Sequence, residues 1–374
     1  MSPEPYPHWM LREIYDQPAT LADTLAVCVR DGRFIPDAYA PLRRWLESTH
    51  GEIVIAASGS SRHAGLVAEL LLEDLSGIAV DVEYASEYTY RSSKTRQNAA
   101  VMVISQSGET ADTLAALRRA ANDGHPTLAI TNVPDSTMAR EATVSFPTAA
   151  GRERAIPATK SFTAQLLNLY LLALLAAEMR SSLPAAEIEA RLAELATLPE
   201  RLSAQLLAWE TTVRAIAKHH ADARSFLFLG RGVHYPIARE GALKLKESAY
   251  LHAEGYPSGE LKHGPNALVS EGTPLVMLAT YDPSDAGSAE RYERVLQLMR
   301  DMRAQGADIL ALVNTGDDAA AALATHAVFV EPAREALLPL YEVVPLQLLA
   351  YCMAIDRGID VDHPRNLTKA VLAE

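Results

Sequence analysis

The sequence predicts an α/β protein of two tandem domains, each built on a doubly wound parallel sheet. Three observations lead there. Short β-rich apolar runs alternate with longer segments of helical periodicity, the pattern of βαβ units. These runs recur in the second half of the chain at offsets of about 170 to 180 residues, close to half its length. The 374 residues are too many for one ordinary core and too few for three.

In order, strands are expected at residues 53–57 (IVIAA), 100–104 (AVMVI) and 126–130 (PTLAI), with helices over 64–75, 111–123 and 162–179. A charged helical stretch over 184–207 follows, and then the plan restarts. Residues 225–230 (SFLFLG) again give a strand and a glycine turn, and 274–279 (PLVMLA) a second strand. The run 306–314 (GADILALVN) echoes 124–132 (GHPTLAITN). The most apolar run, 164–177, is about 14 residues and falls short of the roughly 20 needed to span a bilayer, so it predicts a buried helix.

Composition bounds the partners. The apolar fraction of 49% and charged fraction of 22% are those of a globular protein. A net charge of −13 argues against nucleic acid and acidic membrane surfaces, both of which demand basic patches. Two distant cysteines, Cys28 and Cys352, lack the spacing of a metal site or disulfide framework and fit a reducing cytoplasm. The N-terminus, with early prolines and acids, does not read as a signal peptide.

The stretch VISQSGET (103–110) runs from a strand through a hydroxyl-rich turn into a helix. Ser105, Gln106, Ser107 and Thr110 surround Gly108, which lets the backbone turn tightly enough to aim N–H groups at an anion, and the helix N-terminus adds partial positive charge. The first strand ends in a similar run, Ser58-Gly59-Ser60-Ser61. Helix capping by these hydroxyls is the plain alternative. The pair of turns favours phosphate, and the absence of GxxxxGK[ST] and GxGxxG points to a phosphorylated metabolite rather than a nucleotide.

Further along, Glu240, Lys244 and Glu247 fall at i, i+4 and i+7 of a helix whose other face carries Ala238, Ala242, Leu245 and Ala249. They form either a solvated ion-pair stripe or an acid–base group. His263, bracketed by glycine and proline in GELKHGP, is either a surface histidine or the acid–base group that opens a sugar ring. Lys369 lies in a tail that is either frayed or functional.

The motifs ASGSSRHAG (57–65), ISQSGETADTLAALR (104–118), ATKSFTAQL (158–166), LGRGVHYPIAREGALKLKE (229–247), SGELKHGP (258–265) and HPRNLTK (363–369) closely resemble the isomerase half of the glutamine:fructose-6-phosphate amidotransferase family. The resemblance implies two tandem SIS (sugar isomerase) domains, each a five-stranded parallel sheet flanked by helices, in a homodimer whose active site is completed across the interface. It divides the chain into a helical segment (1–45), a phosphosugar-binding domain (46–200), a second domain (201–360) and a catalytic tail (361–374). It implies that Ser60, Ser61, Ser105, Gln106, Ser107 and Thr110 bind the sugar phosphate, and that Ile156 and Ala158 contact the sugar. Glu247 would move the proton between the first two sugar carbons with Lys244 beside it, His263 of the partner subunit would open the ring, and Lys369 would form a Schiff base with an open-chain ketose.

The departures shape the reaction expected. The reading expects no glutaminase segment ahead of the resemblance. Ser60 stands where the family usually has threonine, Ala158 where it usually has a sugar-contacting serine, and RGVHYP and Gly255-Tyr256-Pro257-Ser258 differ from its usual forms. The expectation is an isomerising deaminase that converts glucosamine 6-phosphate and water to fructose 6-phosphate and ammonia without metal or cofactor. A fructosamine-6-phosphate deglycase, a stand-alone ammonia-dependent synthase and a non-catalytic phosphosugar sensor stay open.

Overall fold

The computed structural model describes residues 2–49, 51–92 and 98–371, so the last three residues of the expected tail lie outside the described residues. The chain forms two compact units that interleave in sequence. The first-sheet unit contains Asp16–Arg154, Lys160–Arg201 and the chain from Thr368. The second-sheet unit contains the chain up to Tyr15, Ala155–Thr159 and Leu202–Leu367.

The chain opens with α1 (Trp9–Tyr15), which belongs to the second-sheet unit. The first-sheet unit begins with α2 (Gln17–Cys28), a small antiparallel ladder of β1 (Val29–Arg30) and β2 (Arg33–Phe34), and α3 (Pro36–Glu47). Its sheet is built from β3 (Ile53–Ala57), α4 (Gly59–Ser76), β4 (Val80–Tyr84), α5 (Ala85–Tyr88), β5 (Ala100–Ser105), α6 (Ala111–Asn122), β6 (Thr127–Thr131), α7 (Thr137–Glu141) and β7 (Val144–Pro147). The strands are all parallel, in the order β4-β3-β5-β6-β7. After β3 the chain pairs first on one side of it and then on the other, so the switch point falls between β3 and β5. In doubly wound sheets a ligand sits there, outside the carboxyl ends of the strands. One face of the sheet buries Val54, Ala56, Val101 and Val103 against Leu114, Leu117 and Met138.

Helix α8 (Lys160–Arg180) is buried along most of its length and packs against α4. It is apolar on every side because every side meets protein. By length and hydropathy both α8 and Glu335–Asp356 could cross a membrane, yet 89% and 94% of their apolar windows are buried inside the fold. The buried helix expected from the 164–177 run is therefore observed. The long helix α9 (Ala185–His219) carries the chain from one unit into the other.

The second-sheet unit repeats the plan with β8 (Ser225–Gly230), α10 (His234–Ala249), β9 (His252–Pro257), two 3₁₀ turns (Glu260–His263 and Pro265–Leu268), β10 (Pro274–Ala279), α11 (Ala286–Ala304), β11 (Asp308–Asn314), α12 (Asp318–Ala321), β12 (His326–Val330) and α13 (Leu338–Asp356). Its parallel order, β12-β11-β10-β8-β9, is the first order repeated, as a duplication requires. Sequence periodicity found the inner strands but missed β4, β7, β9 and β12. Those four are short or polar; β9 reads HAEGYP, and only Ala253 in it is buried. Trp9 and Met10 donate their backbone N–H groups to the two carboxylate oxygens of Asp362, both at 2.8 Å. That carboxylate caps α1 and ties the start of the tail to the same unit.

Candidate functional site

In the first-sheet unit the hydroxyls at the switch point converge. Ser105 ends β5, and its Oγ lies 3.0 Å from Thr110 Oγ1 and 3.5 Å from Ser107 Oγ while accepting from the Gly108 N–H at 3.2 Å. Ser107 Oγ accepts from the Glu109 N–H at 3.1 Å. Gly108 cannot be replaced cheaply. Its φ is +66°, and a Cβ there would fall 2.1 Å from Ser136 Oγ and 2.8 Å from Thr131 Oγ1. Gln106 is half-buried, and its carbonyl accepts from the Asn132 N–H at 3.1 Å.

Capping does not account for these hydroxyls. Thr110 is the N-cap residue of α6, and among the described residues its side chain makes no cap hydrogen bond; Ser58, at the start of α4, makes none either. Where this unit does cap with serine, at α7, Ser136 Oγ accepts from the Ala139 N–H at 3.3 Å. Ser60 and Ser61 lie within the first turn of α4, which begins at Gly59 rather than at residue 64. Ser61 is buried, and its Oγ accepts from Gln165 Nε2 at 3.1 Å.

The tail of this unit is tied down rather than frayed. The α6 N–H of Ala111 donates to the Val371 carbonyl at 2.9 Å, and Lys369 Nζ lies 2.5 Å from Glu153 Oε2. Glu153, which the sequence reading missed, is fully buried at its side chain and also accepts from Ser161 N (3.1 Å) and Oγ (2.7 Å). A buried carboxylate with several donors is a fixed anchor for an amine. Nothing in the spacing of Glu153 and Lys369, 216 residues apart, announces the pair.

In the second-sheet unit, α10 presents Glu240, Lys244 and Glu247 to protein rather than to water. Glu240 and Lys244 are fully buried, and Glu247 is only partly exposed. This overturns the solvated-stripe alternative. Lys244 Nζ sits 2.5 Å from Glu247 Oε2 and 3.5 Å from Glu240 Oε1, a buried cation shared between two carboxylates. The helix is buried on both faces because it packs against β8 and β9 on one side and α13 on another. A Cβ at Gly241 would meet Leu346 at 2.8 Å and Phe228 at 2.9 Å.

His263 closes the 3₁₀ turn Glu260–His263, exposed, while Leu261 of the same turn is fully buried and fixes it to the core. Ile156 and Ala158 are half-buried. Their strap is held inside the second-sheet unit: the Ala155 N–H donates to buried Glu13 at 3.2 Å, and the Ile156 N–H to the Asp362 carbonyl at 3.1 Å. The RGVHYP departure is structural, because His234 Nδ1 meets buried Glu342 at 2.7 Å. So is Gly255: a Cβ there would come within 2.6 Å of Arg239 Cα.

Two parallel sheets of one topology, the first with converging hydroxyls at its switch point, define a tandem doubly wound α/β protein. The chain belongs to the SIS domain family, which it matches over residues 46–175 and 220–357. It is 41% identical over 372 residues to the glutamine–fructose-6-phosphate aminotransferase (isomerizing) of Chlorobaculum tepidum and 43% identical over 371 residues to that of Pseudomonas putida. In each case the match covers 99% of this chain and 59% of the relative, so the chain spans about three-fifths of their length. Among solved structures it is similar to the C-terminal domain of glucosamine-fructose-6-phosphate aminotransferase from Francisella tularensis, at 36% identity and a TM-score of 0.89, covering 97% of this chain and all of that one. A glucosamine-6-phosphate deaminase from Thermotoga maritima shares the fold at 24% identity and a TM-score of 0.71, covering 97% of this chain and 99% of that one.

Proposed function

We propose that this chain is an isomerising deaminase, converting glucosamine 6-phosphate and water to fructose 6-phosphate and ammonia. The observation that carries the reading is the partly exposed Glu247 carboxylate held at 2.5 Å by the buried Lys244 ammonium: a carboxylate poised to shuttle a proton, with a cation fixed beside it to stabilise enolate-like charge. The likeness to the isomerising aminotransferases supports the same substrate family. Both cysteines are buried, and burial pushes the Cys28 thiol up to about 11 and the Cys352 thiol up to about 12. Neither supplies a thiolate for releasing ammonia from glutamine.

In the proposed sequence, Ser60, Ser61, Ser105, Gln106, Ser107 and Thr110 hold the phosphate, and Ile156 and Ala158 line the sugar. His263, from the second subunit of a homodimer, protonates the ring oxygen as the hemiacetal opens to the aldehyde. Glu247 removes the proton from the second carbon and returns it to the first, leaving an imine at the second carbon. Lys369 exchanges with that imine, ammonia leaves, and water then resolves the lysine Schiff base to the ketose. Glu153 takes the proton the lysine must lose before it attacks. The two free cysteines and the small-metabolite substrate fit action in the cytoplasm.

One observation favours a second reading. Ala158, half-buried where the resemblance expects serine, lacks the hydroxyl that would contact the sugar, which suits a substrate with a substituted amine such as a fructosamine 6-phosphate. The purified protein given glucosamine 6-phosphate should release ammonia and fructose 6-phosphate in equal amounts. Turnover of a glycated-lysine phosphate alone would establish the deglycase instead. Net formation of glucosamine 6-phosphate from fructose 6-phosphate and ammonia at physiological concentrations, where deamination does not proceed, would favour the synthase direction. Thermal protection by phosphosugars without turnover would leave a sensor.

A further inference from the structure

The C-terminal end of α9 and the first residues of β11 and β12 bring together His219, His220, Asp308 and His326, all within the second-sheet unit. Among the described residues, the ligand atoms of His219, His220 and Asp308 lie within 4.8 Å of one another. One carboxylate oxygen, Asp308 Oδ2, is approached by two ring nitrogens, His219 Nε2 at 2.9 Å and His220 Nε2 at 3.2 Å.

The tautomer of His220 makes this arrangement informative. Its Nδ1 lies 3.0 Å from the Ile216 carbonyl, which can only accept, so Nδ1 carries the proton. In the neutral ring Nε2 then offers a lone pair to a carboxylate oxygen that also only accepts. His220 is 4% exposed, and among the described residues its Nε2 has no hydrogen-bond partner; neither do Asp308 Oδ1 and His326 Nε2. His326 packs edge-on, its ring centroid 4.6 Å from that of His219 and 5.8 Å from that of His220. A ring whose other N–H is fixed by a backbone carbonyl is the usual arrangement of a metal-binding histidine.

We propose that His219, His220 and Asp308 bind a zinc-like divalent cation through Nε2, Nε2 and Oδ2, with His326 within reach of the fourth position. Ligand atoms about 2.1 Å from a tetrahedral zinc stand roughly 3.4 Å apart, close to the 2.9 and 3.2 Å seen here. Imidazole and carboxylate together suit such an ion, and the end of α9 adds the negative pole of its dipole. The cluster sits at the N-terminal ends of β11 and β12, opposite the edge where doubly wound sheets bind substrate. The ion is therefore structural, pinning α9 to the edge of the sheet, and stands apart from the deamination proposed above.

The test uses the full chain stripped with a chelator, refilled with Zn²⁺ or Co²⁺ and followed by calorimetry, thermal melting and visible absorption. Wild type should take up one equivalent, melt at a higher temperature and show the intense d–d bands of tetrahedral Co²⁺. Asp308→Asn and the exposed-site variant His219→Ala, each verified as folded by circular dichroism, should lose affinity by about 100-fold or more. Equal uptake by wild type and both variants, or no stoichiometric uptake by wild type, would overturn the assignment and leave a histidine–aspartate ion pair.

Discussion

The imidazole of His234 offers a quantitative test of how the second-sheet unit is held together. It is buried beneath α13, with Nδ1 2.7 Å from Glu342 and Nε2 3.6 Å from Glu335. Glu342 also accepts from Thr280, and Glu335 from Arg291. Burial by itself would push the imidazole pKa down, but Glu342 and then Glu335 outweigh it and raise it from 6.5 to about 9. Below the unfolded value of about 6.5 both states bind the proton and the stabilisation is fully present. Between about 6.5 and about 9 the unfolded chain sheds the proton first, so stability falls as pH rises, by about 3 kcal/mol in all. Glu335 acts in the opposite sense. Burial would raise it, yet His234 and Arg291 bring it down from 4.5 to about 2, so its contribution is present above about 4.5 and fades in acid. Urea midpoints followed by tryptophan fluorescence should therefore peak between about pH 4.5 and 6.5 and decline toward pH 9. His234→Gln alone strands Glu342 and should cost about 3 to 5 kcal/mol, while His234→Gln/Glu342→Gln should flatten the alkaline limb. A double variant that declines from pH 6.5 to 9 as steeply as wild type would refute the pairing.

Three predictions address the proposed chemistry. Glu247→Gln should lower the rate of ammonia release by roughly 10²-fold or more and leave stabilisation by fructose 6-phosphate in place; an unchanged rate would remove Glu247 from the reaction. Thr110→Val should weaken fructose 6-phosphate binding by about 10- to 100-fold, the worth of one hydrogen bond to a charged group, with isothermal titration as the measurement and equal affinity as the contrary result. Glu153→Gln should cut the rate by on the order of 10²-fold while phosphate affinity stays constant; a loss of phosphate affinity instead would mark Glu153 as merely structural.

Inner strands such as β3, β5 and β10 are legible because residues covered on both faces must all be apolar. Edge strands such as β9 carry no such signal, since half their surface meets water or loops. The hydroxyls and glycine of the turn at 105–110 fit either an anion cradle or a helix cap, and the sequence alone could not decide between them. Burial and hydrogen-bond partners decided against capping: Thr110 turns to Ser105 instead of its helix.

The sequence by itself determined the duplicated α/β plan, the order of its motifs and the residue types offered for chemistry, because these follow from local periodicity and turn chemistry. Only the tertiary structure decided that the Glu240–Lys244–Glu247 stripe is buried, that Glu153 holds Lys369, and that His219 and His220 meet Asp308. Each depends on which distant segments a side chain meets, and a charge changes its meaning when protein replaces water around it.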